Sequence, residues 1–253
     1  CLNLKILDPA AGFGVFERAL TRKREIKNKV LNFDLWEIDA NVSRKLSEVV
    51  SGLNIKAKVS TADFLSSPWS KKYDGIIANP PYYKHHFIKD KDKIYNNMCI
   101  NTSFGFSIQT NIYCWFLIKA MSLLNPKGRL AFIVPSEFMN ANYGEKVKEF
   151  LLSSGIVIHL ININFENVVF DNAITTSVII LAENSRNGNN INFSNVRDLR
   201  EITDLSSFLS EHPKESIDMN QLNSRVKWRN YFKGGEDHER HSNLISFSKI
   251  GRF

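Results

Sequence analysis

Cysteine is scarce in this chain: Cys1, Cys99 and Cys114 stand far apart among 253 residues, without the paired spacing of a zinc site or a disulfide framework. They are expected to be buried or incidental thiols, and no metal is expected. His238 and His241 have no matching set of acids or cysteines around them. Long apolar runs are also missing. The longest, such as Leu130-Ala131-Phe132-Ile133-Val134, are the size of a strand and far short of a membrane span, and no signal peptide opens the chain. The default expectation is a cytoplasmic protein. Internal repeats and long low-complexity segments are absent as well.

The composition is that of a globular protein, 43% hydrophobic and 23% charged, long enough for one large α/β domain with a small appendage. The net charge of +7 suits a polyanionic partner. Many enzymes of this size are equally basic, so charge alone assigns no substrate.

From the start to about Glu183, short β-branched or apolar runs alternate with longer amphipathic segments, the pattern of a parallel sheet covered by helices on both faces. Seven strands are expected, centred on Leu4–Leu7, Leu31–Trp36, Lys56–Ser60, Gly75–Ala78, Arg129–Val134, Val157–Ile163 and Thr175–Leu181. Helices are expected from about Val15 to Ile26, Val42 to Val50, Asn111 to Leu124 and Tyr143 to Leu152. The Asn111–Leu124 segment is apolar nearly all round and should be buried. Only Asn164 to Ile174, with no convincing helix, separate the last two strands. A parallel crossover normally needs that helix, so the last strand is expected to run antiparallel. Residues 1–183 thus form one domain. Beyond them Asn184-Ser185-Arg186-Asn187-Gly188-Asn189-Asn190 is a turn signal, and 184–253 reads as an extension or linker with one short helix. Both ends have the character of cut ends, and a further domain is expected to follow.

Proline is sparse, seven residues in all, yet two stand side by side in Asn79-Pro80-Pro81-Tyr82, where the buried-looking run Tyr73–Ala78 ends. Two prolines in succession cannot continue a central strand and impose a stiff extended turn. That turn holds Asn79 and Tyr82 in fixed relation. An amide acceptor beside an aromatic face suits a planar nitrogen base carrying an exocyclic amino group. A strand ending in a purely structural Asn-Pro turn would read the same way.

The first strand is followed by Asp8-Pro9-Ala10-Ala11-Gly12-Phe13-Gly14 and then a helix, the position at which open α/β sheets bind ligands. Gly12 and Gly14 permit close approach of backbone to ligand. The third glycine of the dinucleotide fingerprint is replaced by Glu17, which argues for a cofactor without phosphates. Glu37 lies 23 residues beyond Gly14, near the roughly 20-residue offset of a ribose-binding carboxylate. Asp39 can instead cap the next helix. After the third strand, Asp63 and Phe64 can bind and stack on an adenine ring, although an aspartate there also serves as a loop or cap residue.

Taken in order, these elements resemble the catalytic domain of an S-adenosylmethionine-dependent, adenine-specific DNA methyltransferase of the restriction-modification type, in the subgroup with the cofactor loop first and target recognition C-terminal. The similarity covers about residues 4 to 183, including Asn111–Ala120, Leu124-Asn125-Pro126-Lys127-Gly128, Val134-Pro135-Ser136 and Val169-Phe170. It implies a Rossmann-like class I methyltransferase fold. S-adenosyl-L-methionine is the implied cofactor, contacted by Asp8, Pro9, Ala10, Gly12, Gly14, Glu37, Ile38, Asp63, Phe64 and Pro80. The implied catalytic set is Asn79, Pro80, Pro81 and Tyr82: Asn79 and the Pro80 carbonyl accept hydrogen bonds from the adenine N6 amino group, Tyr82 stacks on the extruded ring, and Phe170 closes the base pocket. The implied partners are double-stranded DNA with a flipped adenine and a restriction endonuclease, fused or separate. Family members of this order carry a segment before the first strand, so a chain starting here is expected to bind cofactor weakly.

Methyltransferases acting on protein glutamine or on RNA guanine also use an Asn-Pro-Pro-aromatic turn, but the long insertion from Tyr83 to Thr110 resembles the DNA-modifying group. A non-catalytic DNA-binding subunit retaining the fold is a second alternative, and a nicotinamide dehydrogenase a distant third. His85-His86 can touch phosphates or simply be solvated, and Lys89-Asp90-Lys91-Asp92-Lys93 is expected to be an exposed loop.

Overall fold

A computed structural model describes residues 3–23, 30–53, 55–82, 90–163, 176–185, 188–196, 202, 204–211 and 215–232. Among them one sheet of nine strands runs through the molecule: β1 (Asn3–Asp8), β2 (Val30–Glu37), β3 (Lys56–Thr61), β4 (Tyr73–Ala78), β5 (Leu124–Pro135), β6 (Val157–Ile163), β7 (Ser177–Glu183), β8 (Asn190–Val196) and β9 (Glu215–Asp218). Their spatial order is β3-β2-β1-β4-β5-β7-β6-β8-β9. The first five are mutually parallel. β7 slots between β5 and β6 and runs antiparallel to both, as the short connection demands. The connection itself, residues 164–175, lies outside the described residues.

Nine strands replace the seven expected. β8 pairs parallel with β6, and β9 pairs antiparallel with β8. Asparagine and serine in Asn190–Val196 mask an apolar pair, Ile191 and Phe193, buried on one face in the main core, and Val196, buried on the other face in a separate cluster. Sheet residues that look polar in the linear sequence can still place one face in the core. The segment after β9 is fastened as well: Trp228 is fully buried against Phe193, and Lys148 donates to the carbonyls of Val226 at 2.6 Å and Met139 at 3.2 Å.

Among the described residues six helices accompany the sheet: α1 (Val15–Thr21), α2 (Ala40–Gly52), α3 (Lys91–Thr102), α4 (Ile112–Ser122), α5 (Gly144–Ser154) and α6 (Leu205–Glu211). They cover both faces. Ile6 packs with Leu46 and Val50 of α2, whereas its neighbour Leu7 belongs to the larger cluster containing α4 and α5, since successive strand residues point to opposite sides. α6 contributes Phe208 to a third cluster around Ile161 and Val196.

α3 corrects a second expectation, because a helix starts inside the Lys89–Lys93 run that reads as a loop. Its apolar residues Ile94 and Met98 are four apart and buried, a stripe overshadowed by the flanking charges. α1 begins at Val15 as expected, and the part of its expected span from residue 24 onward lies outside the described residues. α4 is buried along its length from Tyr113 to Met121, which agrees with its all-round apolar sequence.

Candidate functional site

β1 has β2 on one side and β4 on the other, so the strand order reverses between β1 and β4, the switch point at which open α/β sheets carry a ligand crevice past their C-terminal strand ends. Two segments singled out in the sequence meet the sheet there: the loop Asp8–Gly14 after β1 and the turn Asn79–Tyr82 after β4. Uncovered apolar surface gathers at the same edge. Phe13 is 50% exposed, Ile38 70% and Tyr82 44%, and they lie in the segments that follow the three adjacent strands β1, β2 and β4. Exposed apolar side chains concentrated at one strand-end crevice mark it as a binding site.

The loop after β1 is shaped by backbone bonds. Ala11 N–H donates to Trp36 O at 2.9 Å and Gly14 N–H to Ala11 O at 2.9 Å, tying the loop to the end of β2. Gly12 (φ +53°) and Gly14 (φ +73°) are both left-handed. A Cβ on Gly12 would meet nothing within 4 Å, so open space lies beside it. A Cβ on Gly14 would press on Leu46 and Val49 at 3.1 and 3.2 Å. The two glycines therefore differ: Gly12 leaves backbone accessible, and Gly14 lets α1 close on α2.

Beneath the loop sit two fully buried acids. Asp8 accepts the Ala10 N–H through Oδ1 at 3.0 Å, while its Oδ2 has no partner. Glu17, in the first turn of α1, has neither carboxylate oxygen partnered, and its Oε2 lies 3.6 Å from where a Gly14 Cβ would stand. Burial pushes Asp8 well above the usual carboxylate range, and the charges of Glu17 and Glu37 push the same way. Burial raises Glu17 too. Three orphaned carboxylate oxygens call for a cationic or donor-rich group.

At the end of β2, Glu37 accepts the Gly12 N–H at 3.2 Å through one oxygen and the Asp39 N–H at 2.9 Å through the other. It bridges the glycine loop and the β2 end and is only part-buried. Asp39 takes the capping role: its side chain accepts from Asn41 N–H and Val42 N–H, at 2.8 and 3.0 Å, and starts α2. Asp63 caps a short 3-10 turn, Phe64–Ser66, accepting from Leu65 N–H at 2.9 Å and the Ser66 hydroxyl at 3.0 Å. Phe64 is 2% exposed, with its ring against Trp36 and Phe116. Its ring lies within the core, unlike the open side chain of Ile38.

In the turn after β4, Asn79 and Tyr82 are exposed while Pro80 is buried. The Tyr82 hydroxyl donates to the Asn79 side-chain oxygen. Burial raises the Tyr82 phenol, so it stays protonated and able to donate. The Tyr82 ring meets the edge of Tyr113 from α4, centroids 6.3 Å apart at 86°. Behind it, the Tyr113 and Tyr143 hydroxyls are 2.7 Å apart, and Asn111 Nδ2 donates to Tyr143 at 2.9 Å. This buried network backs the outer tyrosine from behind.

Phe170, His85, His86, His238 and His241 lie outside the described residues. Among the described residues, no group of three or more His, Cys, Asp or Glu side chains could hold a metal ion, and no helix is long and apolar enough to cross a membrane. The sequence reading did not single out Glu17 beneath the loop, Tyr113 behind Tyr82, or Lys119, which lies in the core behind the turn after β3. The signal for two of them lay in the pattern: Glu17 stands where the fingerprint has glycine, and Lys119 is a lone charge in an apolar helix.

A family model, Eco57I restriction-modification methylase, matches residues 14–170. The Type II methyltransferase M.AccI of Acinetobacter calcoaceticus is 33% identical over 252 residues, 98% of this chain and 45% of that protein. The Type II methyltransferase M.HincII of Haemophilus influenzae is 28% identical over 201 residues, 77% of this chain and 35% of that protein. The chain thus spans less than half the length of these curated relatives. Among solved structures, the type IIG restriction endonuclease BpuSI superposes with a TM-score of 0.69 at 17% identity, covering 96% of this chain and 31% of that one. A structure described as a class I S-adenosylmethionine-dependent methyltransferase from Listeria monocytogenes gives 0.66 at 18% identity, covering 83% of this chain and 64% of that one. The fold is that of the class I methyltransferases, with its sheet extended by β8 and β9.

Proposed function

Because this chain belongs to the Eco57I restriction-modification methylase family, we propose that its crevice transfers a methyl group from S-adenosyl-L-methionine to the N6 amino group of adenine in DNA. The observation that carries the reading is the meeting, on neighbouring strands β1 and β4, of a left-handed glycine loop over unpartnered buried acids with an exposed Asn79–Tyr82 pair. One half suits a cationic cofactor without phosphates. The other suits a planar base with an amino group.

The fit of the cofactor rests on the orphaned oxygens. Asp8 and Glu17 are buried acids lacking donors, and the sulfonium and ammonium charges of S-adenosylmethionine would compensate them. Glu37, anchored to Gly12, has the position and chemistry to hold ribose hydroxyls, with Ile38 exposed beside it for an apolar contact. Asp8, Pro9, Ala10, Gly12, Gly14, Asp63, Phe64 and Pro80 complete the proposed cofactor set. The bound cofactor supplies an already activated methyl carbon, so the chemistry needs no covalent enzyme intermediate.

The chain's own part is to present the amino nitrogen. The Asn79 side-chain oxygen and the Pro80 carbonyl accept the two amino protons. That favours the pyramidal nitrogen and stabilises the positive charge growing on it during attack. Transfer would form the N–C bond as the methyl–sulfur bond breaks, leaving the neutral thioether S-adenosylhomocysteine, and the cationic nitrogen would release its surplus proton to water, since the amide and carbonyl oxygens are too weakly basic to keep it. Before substrate arrives the Asn79 oxygen is occupied by the Tyr82 hydroxyl, and the amino group takes that place. Tyr82 then offers its ring as a stacking face and offsets part of the few kcal/mol needed to extrude a base from the duplex. DNA is favoured as the polymer by the restriction-modification family, and the +7 charge supports a polyanion. A restriction endonuclease, fused or separate, is the proposed companion activity, in keeping with the endonuclease among the structural neighbours.

The test is label transfer from methyl-labelled S-adenosylmethionine by the natural full-length protein, offered DNA, RNA and protein in parallel, followed by nucleoside mapping. Label recovered as N6-methyladenine in DNA supports the reading. Label found on cytosine, in RNA or on protein glutamine, or no transfer with cofactor bound, overturns it.

A further inference from the structure

Lys119 is fully buried in α4, a helix whose neighbouring side chains are buried and mostly apolar. An ammonium ion in such surroundings is tolerated only when its donors are satisfied. Here they are, and all by one short segment. Nζ donates to Ser67 O at 2.7 Å, Phe64 O at 2.8 Å, Ser67 Oγ at 2.9 Å and Leu65 O at 3.1 Å. An ammonium has three protons for these four acceptors, so one is shared. The same nitrogen stands over the Phe64 ring, 4.8 Å from its centroid, and over Trp69 at 5.2 Å.

The segment gripped in this way is the turn after β3. A turn of three residues has little order of its own. Asp63 holds it from the N–H side, through Leu65 N–H and the Ser66 hydroxyl, and Lys119 gathers its carbonyls from the other side. A methionine would fill the same volume at lower desolvation cost. What the charge adds is a fixed path for the backbone and a fixed orientation for the Phe64 ring.

We propose that Lys119 is a positioning residue for the nucleobase end of the cofactor site, setting its affinity by clamping the Asp63–Phe64 turn. The inference rests on the reading of Asp63 and Phe64 as cofactor contacts. It makes α4 a link between the two halves of the crevice, since Tyr113, about one and two-thirds turns earlier, backs Tyr82.

Titration calorimetry with S-adenosylhomocysteine and, separately, with adenosine tests it on the wild type and on Lys119→Met, Lys119→Arg and Ser67→Ala. Lys119→Met is expected to weaken both ligands by the same factor, about tenfold, the equivalent of one charge-assisted hydrogen bond. Lys119→Arg keeps the charge and should bind more tightly than Lys119→Met. Turnover at saturating cofactor should stay within about twofold, because the reacting atoms are untouched. A folded Lys119→Met protein that binds both ligands like the wild type overturns the inference, as does a loss seen for S-adenosylhomocysteine but not for adenosine. Should Lys119→Met fail to fold, Ser67→Ala decides: about threefold weaker binding of both ligands supports the clamp, and unchanged binding overturns it. A wild-type protein that binds neither ligand removes the cofactor reading and this inference together.

Discussion

The Tyr82 hydroxyl donates a hydrogen bond to the side-chain oxygen of Asn79, closing the turn after β4 on itself. In the proposed reaction that oxygen must be released to receive an amino proton, so the two side chains are coupled: one presents the base, the other accepts from it.

Asn79→Ala and Tyr82→Ala should therefore each slow methyl transfer by about a hundredfold or more while leaving cofactor affinity within about threefold. Tyr82→Phe keeps the stacking face and frees Asn79, and should retain more activity than Tyr82→Ala. Single-turnover transfer together with calorimetry separates the two effects. Wild-type rates in both alanine variants would sink the catalytic assignment.

Glu17→Gln should stabilise the ligand-free protein at pH 8. The folded-state carboxyl holds its proton to a higher pH than its ordinary value of 4.5, so the folded chain binds more protons in that window. Its contribution is fully present below the unfolded value and is lost as pH rises through the folded one. Thermal melts from pH 4 to pH 8 should show the variant's advantage over wild type shrinking toward acid. The same variant should bind S-adenosylmethionine more weakly, and an unchanged affinity would remove Glu17 from the cofactor site.

Gly14→Ala should destabilise the fold by about 1–2 kcal/mol, because a left-handed backbone and contacts at 3.1 and 3.2 Å with Leu46 and Val49 act together. Gly12→Ala shares the backbone strain without the crowding. It should lose less stability and proportionately more cofactor affinity. Denaturant unfolding paired with ligand titration distinguishes the two glycines.

Trp228→Ala should cost about 3–5 kcal/mol, the range for removing a large buried aromatic side chain. A chain ended after residue 183 should fare worse, since it would uncover the β6 edge that β8 pairs and the Lys148 ammonium that Val226 satisfies. Chemical unfolding of both proteins is the measurement. A truncated chain as stable as the parent would show residues 184–253 to be dispensable to the fold.

The extent to which all this is legible in the sequence depends on how local the determinants are. β1 to β7 are marked by short apolar runs, and the antiparallel course of β7 follows from the length of one connection. The turn at Asn79 is legible because two prolines leave it few alternatives. β8 is not, because Asn190, Asn192 and Asn195 break up the apolar residues it buries on its two faces, and its partner, β6, is distant in the chain. α3 is obscured by charges that face water while Ile94 and Met98 face in. At the site, Asp39 can be recognised as a cap from its position alone. Glu17 and Lys119 cannot be understood that way, since what matters about them is which distant groups surround them, and neither spacing nor composition records that.

Tyr113 and Lys119 lie six positions apart on one rigid helix, the first engaged with the turn after β4 and the second with the turn after β3. One residue inserted between them would rotate one contact by roughly 100° relative to the other. Related chains can vary α4 in many ways, but this interval should be immune to insertion and deletion, a rule of length imposed on evolution by geometry alone.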